Sequence, residues 1–145
     1  MLSGSLNIRV GTNRLTVKRG KQIFRLTDIS EQPFNPTKQD CRWWCTVINS
    51  LIFGGELKPF RKIEIRKIKS WGYCLGKGQR SKHGRYAELW MTDIYPSFSF
   101  FFSILAHEML HMHQFCATGD MTHGPTFFKW NPKFRKICLP LQHKY

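Results

Sequence analysis

Residues 107–111 read His-Glu-Met-Leu-His, and no other five positions of the 145-residue chain carry as much potential chemistry. If they lie on an α-helix, His107 and His111 are four apart and share a face, with Cβ atoms about 5–6 Å apart. Two imidazole nitrogens so placed suit one Zn²⁺. Glu108 falls about 100° round the helix, off the ligand face, where a carboxylate serves as a general base toward water instead of binding the ion. In a chain of this composition, chance placement gives the motif on the order of 0.01 times. The competing reading is a buried helix whose two histidines are satisfied by their neighbours.

A catalytic zinc takes three protein groups and keeps one position open. Four residues after the motif could supply the third ligand: His113, Asp120, His123 and His143. His113 stands two residues from His111 and points off the ligand face. Asp120 and His123 both remain, the histidine within Thr122-His123-Gly124-Pro125, a turn able to aim an imidazole back at the helix. The layout HExxHxxGxxH fails, because Gln114 and Ala117 occupy its glycine and its last histidine. A downstream glutamate ligand fails too, since no Glu follows Glu108.

These residues resemble the SprT-like zinc metalloproteases, the family of the Spartan-related protease domain. There, a short loop after the HExxH helix leads to an HGxxF segment, matched here by His123-Gly124-Pro125-Thr126-Phe127. Phe53-Gly54-Gly55-Glu56-Leu57 is similar to the segment that closes the family's first helix, and Trp71-Gly72-Tyr73-Cys74 to its turn before the pre-catalytic strand. The resemblance spans roughly residues 37 to 131. It implies Zn²⁺ held by His107, His111 and His123, Glu108 as catalytic base, a zincin-like fold, and substrates that are proteins on DNA. The paired CxxC motifs of the family's C-terminal zinc ribbon have no counterpart in this sequence.

The motif must be held by the elements around it. Phe98, Phe100, Phe101, Phe102, Ile104 and Leu105 cover nearly the whole circumference of the helix that leads into His107, and a helix apolar all round is buried. Asp93 is the expected cap, Pro96 suits the first turn, and Gly119 ends the helix. Thr37, with Asp40 three residues on, predicts the start of an earlier helix with an apolar stripe of Cys41, Trp44, Cys45, Ile48, Leu51 and Ile52, stopped at Gly54-Gly55. Cys41 and Cys45 also have ligand spacing, but they share that stripe, and core packing is the better reading. Ile63 and Ile65 alternate with charges as in a half-buried strand. Tyr86–Met91 reads as the strand before the catalytic helix, expected at a sheet edge where its backbone could meet an extended substrate; an internal strand is the alternative. Short runs at Leu6–Val10, Leu15–Lys18 and Gln22–Leu26 predict strands or a hairpin, and Pro125 and Pro132 each open a short helix.

Charge is the second signal. The chain has 23 Lys and Arg against nine acids, a net +14, and such a balance attracts polyanions, nucleic acid before membrane. Ten of the basic residues fall between Lys58 and Arg85, with Glu64 the one acid among them. The glycine-rich stretch 76–85 is neither a Walker loop nor a dinucleotide fingerprint. Its Lys77, Arg80, Lys82 and Arg85 are the expected DNA contacts, with Trp71 and Trp43 as possible stacking partners and the core as their alternative. Five cysteines without a CxxC pair predict reduced thiols. With no signal-like start, a cytoplasmic or nucleoid-associated protein is expected, neither secreted nor in the membrane.

The expected architecture is α+β: a single zincin-like domain with a small sheet packed on the buried HExxH helix, residues 1–36 forming N-terminal strands or an extension, and residues 37–145 the protease domain. The expected function is that of a monomeric zinc metalloendopeptidase with a basic DNA-binding surface. Tyr86, Tyr95, His113 and His143 are its possible oxyanion partners. Two alternatives are a non-catalytic DNA-binding module with a structural zinc, and another zinc hydrolase such as a nuclease. Glu108 favours an enzyme, because a structural site has no use for it.

Overall fold

The computed structural model describes residues 5–10, 13–17 and 23–25 as backbone, and 32–78, 84–136 and 141–142 in full. The architecture is α+β. Strands β1 (Ser5–Val10), β2 (Asn13–Val17) and β3 (Ile23–Arg25) form a small sheet in the order β2-β1-β3. Ile8 stands opposite Leu15 in the antiparallel pair, while β3 runs parallel to β1. The expected N-terminal strands are thus present, although Lys18, Gln22 and Leu26 lie outside the described residues.

Helix α1 (Lys38–Ile52) begins where its capping chemistry dictates. Thr37 Oγ1 accepts from the Asp40 N–H at 3.0 Å and Asp40 Oδ2 accepts from the Thr37 N–H at 2.9 Å, a reciprocal box worth about 1 kcal/mol. Cys41, Trp44, Val47, Ile48 and Ile52 form its buried stripe, so Cys41 belongs to the core, as the spacing with Trp44 and Ile48 implied. Gly54 and Gly55 end the helix with φ of 65° and 78°.

Strands β4 (Lys62–Ile65), β5 (Gly72–Lys77) and β6 (Tyr86–Met91) form the second sheet, in the order β4-β6-β5. Leu89 of β6 pairs with Ile63 of the parallel β4 and with Cys74 of the antiparallel β5. This corrects two expectations. The strand before the HExxH helix is central and its backbone is paired on both sides; β5 is an edge. The inward set of β6, Ala87, Leu89 and Met91, is buried throughout, which suits a middle strand. Trp71-Gly72-Tyr73-Cys74 is likewise no turn, since Gly72 opens β5. Glycine in a strand can mark a close backbone approach instead of a reversal, and here the neighbour is the HExxH helix.

Helix α2 (Phe98–Thr118) is that helix. Its cap is Ser97, whose Oγ accepts from the Phe100 N–H at 3.1 Å, and not Asp93. The reason is tertiary: Tyr95 exchanges backbone hydrogen bonds of 2.8 and 2.9 Å with Phe34, which keeps the chain extended two residues past Asp93. Asp93 offers its carbonyl to the Asn35 side chain. The first half of α2 is an anchor: Phe98 lies 4.6 Å from Trp44, ring to ring, and Phe101 4.8 Å from Phe34. Truncating a ring buried this way typically costs about 3–5 kcal/mol, so these contacts fix the register in which the second half presents its polar groups. Gly119, φ 80°, ends α2, its N–H donating to the Phe115 carbonyl at 2.8 Å. Short helices α3 (Pro125–Phe128) and α4 (Asn131–Lys136) follow. Among the described residues no helix is long and apolar enough to cross a membrane.

Candidate metal centre

His107 and His111 project from one face of α2, and the loop between α2 and α3 brings His123 to them. The three Nε2 atoms form a near-equilateral triangle, 3.1 Å between His107 and His111, 3.0 Å between His111 and His123, and 3.2 Å between His123 and His107. A tetrahedral Zn²⁺ with Zn–N of about 2.0–2.1 Å spaces its donors about 3.3 Å apart. The donor set therefore fits one small ion seated above the triangle. Among the described residues this is the single cluster of His, Cys, Asp or Glu able to hold an ion.

The Phe of the HGxxF segment explains the convergence. Phe127 is fully buried, and its ring centroid lies 4.9 Å from those of His107, His111 and His123 alike, so all three imidazoles lean on one phenyl floor. Burial holds His107 down to about 3, reinforced by His111 and His123. Burial lowers His111 as well, against the raising hydrogen bond to Gln114. Both shifts favour the neutral imidazole, the form that binds a metal.

Gln114 is the residue that reading the sequence as a ligand pattern missed. It is 2% exposed, its Oε1 lies 2.9 Å from His111 Nδ1, and its Nε2 donates to the Thr122 carbonyl at 2.7 Å and to Thr126 Oγ1 at 2.8 Å. Because the amide nitrogen is committed to two acceptors, Oε1 must be the acceptor toward His111. The proton then sits on Nδ1, and Nε2 keeps its lone pair for an ion. One side chain thus sets the tautomer of one ligand and ties down the loop that carries another. The signal was an amide side chain three positions after His111, on the same side of the helix. Gln114→Leu keeps the volume and removes all three bonds, and zinc affinity should fall by about 10–100-fold. Competition against a chromophoric chelator checks this, and an unchanged affinity would leave Gln114 without a positioning role.

Asp120, the alternative ligand, is engaged elsewhere. Its carboxylate accepts from Thr126 Oγ1 and from the Thr122 N–H, and these bonds hold its pKa below the usual range. His113 faces away, packed 4.8 Å from Trp130 and 5.7 Å from Phe53. His143 lies outside the described residues.

Glu108 is 7% exposed and shares with the three histidines a cleft of about 550 Å³ whose other wall is Trp71, Gly72, Tyr73 and Cys74. Burial pushes its carboxyl up to about 8, opposed by the Cys74 backbone N–H that donates to it. Gly72 makes the approach of β5 possible. A Cβ there would stand 2.8 Å from Ile104 Cγ2 and 3.2 Å from Glu108 Cγ. Gly76 repeats the device about two turns of α2 further along, where a Cβ would meet the Phe115 ring at 2.7 Å.

The remaining expectations fall into place unevenly. Tyr95 is buried, its hydroxyl bonded to the Trp71 carbonyl and to the Thr92 N–H, and Tyr86 sits under Arg61 at the far end of β6. Neither lines the cleft, nor does His113; Tyr73, 52% exposed, does. Trp43 and Trp71 pack against the core, on Trp44 and Phe100 respectively. Of the four expected DNA contacts, Lys77 forms a 3.1 Å ion pair with Glu88. Arg85 lies against Gly119 at the C-terminus of α2, where a cation complements the helix dipole. Arg80 and Lys82 lie outside the described residues. Comparison with protein-family models, curated proteins and solved structures finds no match to this chain.

Proposed function

We propose that this chain is a zinc metallopeptidase of SprT-like, zincin build. The observation that carries the reading is the triangle of Nε2 atoms with a buried carboxylate, Glu108, that opens on the same cleft. A bound zinc would supply Lewis acidity, lowering the pKa of a water toward about 7 and polarising a peptide carbonyl. His107, His111 and His123 would hold it through Nε2. A dication held by the histidines would favour the ionised form of Glu108 against its burial. A carboxylate oxygen then takes the proton from the attacking water and passes it to the departing amine nitrogen, so the acid and base steps use one group. The Cys74 N–H and the close wall at Gly72 keep that carboxylate in place. Substrate recognition falls to β5, an edge strand beside the cleft: an extended peptide can add to its free side through main-chain hydrogen bonds, which reads backbone more than sequence.

The net charge of +14 supports proteins held on DNA as the substrates. The proposed setting is accordingly cytoplasmic or DNA-associated, and the proposed unit is the monomer. The test is to incubate zinc-loaded protein with a histone on DNA. Cleavage of the histone, lost with 1,10-phenanthroline and restored by added zinc, is the expected result. Bound zinc without cleavage would make the site structural, and cut DNA with intact protein would make it a nuclease; either outcome overturns the reading.

A further inference from the structure

The peptidase site uses the inner face of the β4-β6-β5 sheet and leaves the outer face with no assigned role. Alternation sends Tyr86, Glu88 and Trp90 of β6 outward, since Ala87, Leu89 and Met91 are buried. On β5 it sends out Tyr73, Leu75 and Lys77, since Cys74 is buried and Gly72 and Gly76 abut α2. Tyr73 stands directly opposite Trp90, the two rings 5.9 Å apart and inclined by 36°. The Arg66 guanidinium lies 4.3 Å over the Trp90 ring, and that of Arg61 3.5 Å over Tyr86. Tyr73 is one of two large apolar side chains exposed by about half among the described residues.

The acids on this face do not cancel its charge. Glu64 binds Lys62 at 2.9 Å and reaches Arg66 at 3.6 Å, Glu88 binds Lys77 at 3.1 Å, and the two acids so hold three cations over the sheet, with Lys67 and Lys69 exposed just beyond β4. Across residues 58–90 the sequence has ten basic side chains and two acids. A face built to dock a folded protein would be a contiguous apolar patch, and a membrane surface needs cations without a cross-strand aromatic pair. Flat rings interleaved with guanidinium and ammonium groups match a different chemistry, that of bases alternating with phosphates.

We propose that the outer face of this sheet binds single-stranded nucleic acid, with unpaired bases stacking on Tyr73 and Trp90 and phosphates engaging Arg61, Arg66 and Lys77. Single strands are selected because a duplex keeps its bases stacked inside, whereas an open sheet face with aromatics can take about two or three splayed bases. Tyr73 belongs to both surfaces: its ring lies on the outer face against Trp90, and the residue borders the metal cleft at the edge of β5. A strand bound there runs along the rim of the cleft, and a protein attached to it is delivered to β5. The inference deepens the nucleic-acid part of the reading above and does not depend on the zinc chemistry.

Fluorescence anisotropy with labelled oligo(dT) of 12 nucleotides and with a 12-base-pair duplex tests it on the full zinc-loaded chain. The parent should prefer the single strand. Tyr73→Ala should weaken oligo(dT) binding by about tenfold or more, the loss expected for one stacked base, and leave duplex binding unchanged. Tyr73→Phe should retain parent affinity. Arg66→Gln should flatten the log-log salt slope by about 0.7, the value for one phosphate on a single strand. Tyr73 is half in solvent, so zinc content and circular dichroism should match the parent and separate lost stacking from lost folding. Oligo(U) showing the same dependence on Tyr73 supports the proposal equally. It is overturned if Tyr73→Ala binds oligo(dT) as the parent does, if the duplex is preferred, or if anionic phosphatidylserine vesicles, and not oligonucleotides, respond to Tyr73. No peptide is cleaved in this assay, so failure here leaves the metallopeptidase reading intact, and failure of the histone assay leaves this one intact.

Discussion

Glu108→Gln is expected to keep one equivalent of zinc and to cut peptide hydrolysis by about a hundredfold or more, the usual contribution of a positioned general base. The amide is nearly isosteric with the carboxylate. Its oxygen can still accept from the Cys74 N–H, and its Cγ still fits beside Gly72, so the wall of the cleft should not move. The three ligand nitrogens come from other side chains, which leaves the metal in place. What the variant loses is a group able to take a proton from water and return it to the amine. The measurement pairs zinc content with initial rates on the same preparation. Cleavage at the parent rate by the zinc-loaded variant would remove Glu108 from the mechanism.

The reading of α2 from the sequence succeeded because the information is local. Two histidines and a glutamate within five residues fix their own geometry once the segment is helical, and the rings of Phe98 to Phe102 leave a helix no surface to expose. The box at Thr37 and Asp40 is equally local, and so is the stop at Gly54-Gly55. His123 required more: its turn was recognisable, but what brings it home is Phe127, four residues on, acting as a floor for all three imidazoles.

What stayed hidden depends on distant pairing. Strand order is set by which edges meet, so the pattern of Tyr86–Met91 could not say that β4 would arrive on one side and β5 on the other. Gly72 looked like a turn because its partner, Glu108, is 36 residues away in sequence and adjacent only after folding. Ser97 displaced Asp93 as the cap through a bridge between Phe34 and Tyr95. Counting cations along the chain found a basic stretch but could not reveal that Lys77 faces Glu88 or that Arg85 closes a helix end, nor that Tyr73 and Trp90 would meet across two strands.

Those distant contacts make the ranking of metal variants a sharp test. His123→Ala should lose zinc by more than the roughly 10–100-fold expected when only a supporting hydrogen bond is removed, because a donor nitrogen itself is gone. Asp120→Ala should stay near one equivalent. It breaks bonds to Thr122 and Thr126 within the loop, each worth about 0.5–1.5 kcal/mol, while Gln114 still ties Thr122 and Thr126 to α2. Thermal unfolding supplies a second readout. A ligand that binds only the folded state stabilises it by about 4 kcal/mol at a thousandfold excess over its dissociation constant, so added zinc should raise the melting temperature of the parent and of Asp120→Ala. The same addition should leave His123→Ala nearly unmoved, since two histidines on one helix face retain little of the affinity. A zinc-dependent shift that survives in His123→Ala and vanishes in Asp120→Ala would transfer the third ligand to the aspartate and undo the triangle on which the proposed chemistry stands.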